Sequence, residues 1–79
     1  MRLCTFTKGG WHNNYSCVLE FCASIERREA WYEIQWNYPG KYGREKFTDF
    51  SKAVDRFNEL EKMLDGRYEA EQKDLDNEL

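Results

Sequence analysis

The chain has 79 residues, a net charge of −3 and 16% aromatic side chains. A chain of this length buries one modest core, so we expect a single domain of marginal stability. Residues 65–79 contain six acids and two bases, which leaves a charge of +1 on residues 1–64. This balance argues against nonspecific nucleic-acid binding, which requires a basic stripe.

The cysteines and the N-terminus indicate a reduced, cytoplasmic protein. Cys4, Cys17 and Cys22 are odd in number and form no CxxC pair, which argues against a disulfide framework. The first residues have no apolar segment typical of a secretion signal, and no apolar run approaches 18 residues. We therefore expect no contact with a membrane.

Three strands are predicted in the first half of the chain. Residues 2–7 form a short β-prone stretch that ends at a pair of glycines. Residues 15–25 and 30–38 alternate apolar and polar side chains at period two, which is typical of half-buried strands. These strands follow one another closely, so an antiparallel meander is predicted.

The register of the central hairpin is predicted from its apolar faces. The four linking residues, 26–29, contain no Gly or Asn and favour a type I turn. Pairing Ile25 with Ala30 brings the apolar faces of the two strands together. The opposite face is mostly polar and is expected to face water; it carries Val18, Glu20, Cys22, Ser24, Trp31, Glu33, Gln35 and Asn37.

A connection from the sheet to a helix is predicted after residue 38. Pro39-Gly40 favours a type II turn with Gly40 at positive φ, and Gly43 is a second permissive point. The connection would display Lys41, Tyr42, Arg44 and Lys46. Two interpretations of this corner are open. It is a site that binds phosphate or carboxylate groups, or it is an ordinary connection whose charged side chains are solvated.

The second half of the chain predicts an amphipathic helix of about four turns. Its apolar residues recur at spacings of three and four; they are Phe50, Ala53, Val54, Phe57, Leu60 and Leu64. Asp49 or Ser51 can cap its start, and Asp65-Gly66 predicts its end. The prediction is an α+β fold, β-β-β-α, with three antiparallel strands and the helix on one face. Residues 1–66 form the domain, and residues 67–79 are either an acidic tail or a short second helix.

No catalytic, cofactor or metal site is predicted, and we expect the protein not to be an enzyme. The only histidine, His12, lies in an Asn-rich loop, and no spacing supports a Cys-His pair. Three scattered cysteines and one histidine lack the paired spacing of zinc ligands. Glu20 and Glu33 share a sheet face, where carboxylates are ordinarily solvated.

The candidate binding residues fall on the polar sheet face and in three other places. Trp31 among Glu20, Glu33 and Gln35 has the composition of a protein-binding hot spot. Alternatively, the first strand, the tail or a second copy covers Trp31. The remaining candidates are Trp11 in the glycine loop, Tyr42 and Arg44 on the corner, and the acids Glu69, Glu71 and Asp74.

Residues 32–60 resemble a WGR domain. The features shared are YEIQ, then YGR, then F-x-x-F-x-x-A-x-x-x-F from Phe47 to Phe57. Members of that family turn at Trp-Gly-Arg and enter a helix, which implies a small accessory module that binds nucleic acid or protein. This chain has Tyr42 in place of the Trp, and it lacks the glycines and the extra strand expected after Arg44.

In size, acidity and architecture the chain also resembles the anti-CRISPR proteins of phages and mobile elements. That resemblance implies a non-enzymatic inhibitor that binds in a basic groove of a Cas effector subunit and blocks that subunit sterically. It further implies a monomer or weak homodimer in the host cytoplasm, without direct nucleic-acid contact. These inhibitors share no diagnostic motif, so the resemblance assigns no residue a role.

Overall fold

A computed structural model of the protein describes residues 1–10 and 13–78, with side chains through Lys73. The elements are β1 (Arg2–Lys8), β2 (Tyr15–Ser24), β3 (Glu29–Tyr38), β4 (Lys41–Phe47) and α1 (Phe50–Glu78). The four strands form one antiparallel sheet in chain order, and α1 lies across one of its faces. The predicted α+β class is confirmed, but the described sheet has four strands rather than three.

The core lies between α1 and the two central strands. Alternate residues of β2 and β3 point towards the helix, and the helix contributes residues at spacings of three and four. The buried side chains are Tyr15, Cys17, Leu19, Ile34, Ala53, Phe57, Leu60 and Leu64. The two sequence periodicities therefore identified the faces that meet in the core.

The β2–β3 register differs from the predicted one by two residues. Ala23 pairs with Ala30, and Leu19 pairs with Ile34. Residues 25–28 form the turn, and Ile25 is 94% exposed at its tip instead of pairing within the sheet. An even shift leaves every side chain on its predicted face, because successive residues alternate between faces.

The fourth strand replaces the predicted corner. Pro39-Gly40 forms a two-residue turn in which Gly40 has the expected positive φ of 87°. The chain then returns along β3, from Lys41 opposite Tyr38 to Phe47 opposite Tyr32. The prediction of a sheet-to-helix connection at these residues is therefore wrong, and the connection is confined to the two residues before α1.

The start of α1 was predicted correctly, but its end was not. Asp49 caps the helix, since its side chain accepts a hydrogen bond of 2.9 Å from the backbone N–H of Ser51. The helix then continues through Gly66, which does not adopt a positive φ, and reaches Glu78. Residues 67–78 are thus neither a separate helix nor a tail without regular structure.

Tertiary contacts on both sides of Gly66 hold this part of the helix. Asp65 forms an ion pair with Lys8 of β1. One turn further on, the Tyr68 ring packs edge-on against Tyr15, with ring centroids 5.5 Å apart. Beyond Tyr68 no described side chain is buried, and the molecule is 55 Å long.

Candidate protein-binding surface

The face of the sheet that points away from α1 is the candidate surface, and we call it the open face. On β2 it comprises the even-numbered residues, and on β3 the odd-numbered ones. Thr5 and Thr7 of β1 and Tyr42, Arg44 and Lys46 of β4 complete it. None of the helices and strands that the structure describes packs over this face.

The open face unites two groups of candidate residues that the sequence placed apart. β4 pairs with β3, so Arg44 lies opposite Gln35 and Tyr42 lies opposite Asn37. The predicted corner residues therefore stand beside the predicted sheet residues Trp31 and Glu33. The period-two placement of Tyr42, Arg44 and Lys46 was the signal for this strand, but the preceding Pro-Gly pair masked it.

Trp31 and Tyr42 differ in how they are held. The ammonium group of Lys46 lies 4.3 Å from the centroid of the Trp31 ring, a cation–π contact that partly covers the indole. Tyr42 is 86% exposed. Trp31 is thus covered in part by a neighbouring strand, β4, and not by β1 or by α1.

Two carboxylates of the open face, Glu33 and Glu20, already have cationic partners. Glu33 lies 3.1 Å from the Nε of Arg44, and Glu20 lies 3.6 Å from the Nε of Arg2. Cys22 donates a hydrogen bond of 3.6 Å to Glu33. Burial, followed by this hydrogen bond, raises the pKa of the Cys22 thiol. The paired carboxylates do not make the open face acidic.

Two adjoining depressions lie where β2, β3 and β4 run side by side. The first has a volume of about 290 Å³, and the residues that form it include Ser16, Val18, Gln35, Asn37, Tyr42 and Arg44. The second, of about 630 Å³, shares Asn37 and Tyr42 with it and extends past the Pro39-Gly40 turn to Lys41. The ring of Tyr42 therefore stands between two concave areas.

The Tyr-Gly-Arg sequence lies within β4, and packing on the helix side explains its glycine. A Cβ on Gly43 would lie within 3.0 Å of three ring atoms of Trp36. The Trp36 indole N–H donates a 3.1 Å hydrogen bond to Glu45, which also accepts hydrogen bonds from Arg56. The location of Tyr42, Gly43 and Arg44 within a strand does not match the turn that the resemblance to WGR domains implies.

The remaining candidates lie away from the open face or outside the described residues. Glu69 is on α1, 4.0 Å from Lys8, and Glu71 is exposed on the same helix. The side chain of Asp74 and all of Trp11 and His12 lie outside the described residues.

Two observations on the described side chains bear on reactivity and on metal binding. Cys17 is fully buried, and burial raises the pKa of its thiol to about 11, with the charge of Glu61 as a smaller cause. A thiol with this pKa is almost entirely protonated at neutral pH and is a poor nucleophile. No three described His, Cys, Asp or Glu residues come together in a group that could hold a metal ion.

Comparisons with known proteins add no family to this description. No protein-family model, curated protein or solved structure matches the chain. Within the described part of the chain, no helix has the length and apolar character needed to cross a membrane.

Proposed function

We propose that this chain is a non-enzymatic binding protein that docks on a protein partner through the open face. The proposal rests on the exposure of Tyr42. This side chain is 86% exposed and lies beside a depression, on a sheet face that no described element covers. An exposed aromatic ring that contacts little of its own chain gains burial only when a partner covers it.

The composition and rigidity of the open face support docking. Trp, Tyr and Arg are the residue types that dominate binding energy at interfaces, and Trp31, Tyr42 and Arg44 all lie on this face. Lys46 holds Trp31 through the cation–π contact, and Glu33 holds Arg44 through the ion pair. Side chains that are already oriented lose less conformational entropy when they bind.

The target that we propose is a Cas effector subunit, blocked sterically by a protein of phage or mobile-element origin. Support for this target comes from the resemblance in size, acidity and architecture to anti-CRISPR proteins. A basic groove on such a target would meet exposed acids of α1 that follow the core, chiefly Glu71, because Glu69 already lies 4.0 Å from Lys8. Glu20 and Glu33 are less suited to this role because they already have arginine partners.

Affinity capture from a bacterial lysate that contains CRISPR effector complexes tests this proposal. The tagged chain is used with and without nuclease, and the bound proteins are identified by mass spectrometry. We expect one stoichiometric protein partner that survives nuclease and is lost with Tyr42→Ala. The matched control is Ile25→Ser, which changes an apolar residue that is 94% exposed at the β2–β3 turn and should leave capture intact.

Two results would contradict the proposal. Recovery of partners only through nucleic acid would favour the WGR-like alternative, and a gel shift that Arg44→Ala and Lys41→Ala abolish would then be expected. Retention of the protein partner by the Tyr42→Ala variant at wild-type level would mean that the open face is not the docking surface.

A further inference from the structure

Several hydrogen-bonding side chains line part of the smaller depression on the open face. Ser16 donates its hydroxyl hydrogen to the Oδ1 of Asn37 at 2.7 Å, which leaves the Nδ2 of Asn37 as a donor. Gln35 contributes a second amide, and Tyr42 contributes a hydroxyl group. The floor includes the apolar side chain of Val18. A ligand that offers acceptors would satisfy these groups.

Arg44 gives this depression its charge. It is the only charged residue among those that line the depression in the described part of the chain. Its Nε faces Glu33 at 3.1 Å, so the two terminal nitrogens of the guanidinium group can still donate to a ligand. Lys41 adds a second cation in the adjoining depression. Glu33 offsets part of the charge of Arg44, and the terminal guanidinium nitrogens together with Lys41 favour an anionic ligand.

We propose that this depression binds a carboxylate side chain from an acidic peptide segment of the partner, with Arg44 as its main contact. This inference rests on the proposed docking role of the open face. The planar guanidinium group can donate two parallel hydrogen bonds to one carboxylate, and the amides of Gln35 and Asn37 can complete the set. A peptide fits better than a nucleic acid, because a chain of net charge −3 repels a polyanion that requires several cations.

The test is a titration of the isotope-labelled chain with short capped peptides, followed by NMR. The probe contains two glutamates, and its matched control contains two glutamines. We expect the glutamate peptide to shift the side-chain signals of Gln35, Asn37 and Arg44. Its affinity should exceed that of the glutamine peptide by about tenfold, the equivalent of one charge-assisted hydrogen bond. Arg44→Gln should abolish that difference.

A variant on the helix provides the control for charge alone. Lys52 is exposed on α1, so Lys52→Gln removes the same unit of charge without touching the open face. Binding of the glutamate peptide should be unchanged in this variant. If Lys52→Gln weakens binding as much as Arg44→Gln does, the attraction is a property of net charge, and the site is not the one proposed.

Other outcomes would also overturn the inference. These are equal affinity for the glutamate and glutamine peptides, tighter binding of a single-stranded oligonucleotide, or self-association that Arg44→Gln abolishes. In the last case the occupant is a second copy of the chain. If the peptide does not bind but capture of the partner still depends on Tyr42, this inference fails and the proposed function stands. If the peptide binds but capture of the partner does not depend on Tyr42, the proposed function fails instead.

Discussion

The indole ring of Trp36 packs against the backbone of Gly43, its cross-strand neighbour on β4. The same ring stacks on Tyr38, with centroids 5.9 Å apart, and its N–H donates to Glu45. Contacts on several sides therefore fix the position of the indole on the helix side of the sheet. Residue 43 has to lack a side chain, while Tyr42 and Arg44 on either side of it point to the open face.

Replacing Gly43 with alanine should destabilise the protein by about 1–3 kcal/mol, the usual cost of overpacking. The added methyl group would overlap the Trp36 ring, and either the ring or β4 would have to move. Urea unfolding of both proteins measures the change. In a Trp36→Leu background the cost of Gly43→Ala should become smaller. An equal cost in both backgrounds would mean that the indole is not what excludes a side chain at residue 43.

Replacing Gly66 with alanine should have the opposite effect. Gly66 lies inside α1 with a helical backbone, and a Cβ there would meet nothing within 4 Å. Alanine is favoured over glycine in a helix interior by about 0.5–1 kcal/mol, so the free energy of unfolding should rise by that amount. A decrease would instead indicate that residue 66 ends the helix in a left-handed conformation, as the sequence pattern suggests.

Replacing Tyr15 with phenylalanine should stabilise the protein. Tyr15 is only 1% exposed, and its hydroxyl group has no hydrogen-bond partner among the described residues. Burying an unpaired hydroxyl costs about 1–3 kcal/mol, and phenylalanine avoids that cost while keeping the ring contact with Tyr68. Thermal and urea unfolding measure the gain. Tyr42→Phe, which removes an exposed hydroxyl group, is the control and should change stability little.

The ion pair between Glu45 and Arg56 should make stability depend on pH in the acid range. The hydrogen bonds from Arg56, and secondly the one from Trp36, lower the pKa of Glu45 below its ordinary value of 4.5. A lowered folded-state pKa gives stability that is present above the unfolded pKa and is lost as the pH falls through the folded pKa.

Glu45→Gln should therefore remove part of the acid sensitivity. The side chains of the pair are about one-third exposed. The substitution should therefore lower the free energy of unfolding at neutral pH by about 0.5–1 kcal/mol, and this difference should vanish in strong acid. Urea unfolding across this pH range measures it. The control is Asp55→Asn, which changes an exposed carboxylate on α1. An equal loss of acid sensitivity in both variants would contradict a specific role for Glu45.

The sequence predicted the core because its periodicities are strong, and it missed β4 because much of the evidence for that strand is tertiary. On the helix side β4 carries Gly43 and Glu45, neither of which is a strand-favouring residue. Their places are explained only by Trp36 and Arg56, which pack on them from β3 and α1. The local alternation of Tyr42, Arg44 and Lys46 does not contain that information, and the preceding Pro-Gly pair masked it.

The same limit applies to the helix end and to the hairpin register. Asp65-Gly66 is a common ending for a helix, but the Lys8 ion pair and the Tyr68 packing override it. Ile25 was expected to pair within the sheet because it is apolar, yet the turn places it in solvent. The open-face residues were nevertheless predicted correctly on β2 and β3, because a shift of two residues does not change the face.

Hydroxyl-radical footprinting of the chain, free and in complex with its captured partner, tests the docking role of the open face most directly. Tyr42 and Trp31 report on that face, while Phe50 and Met63, which are 51% and 38% exposed on α1, report on the other side. We predict that Tyr42 and Trp31 become protected in the complex and that Phe50 and Met63 react as before. Protection of Phe50 and Met63 with Tyr42 unchanged would contradict the account and would place the partner on the helix.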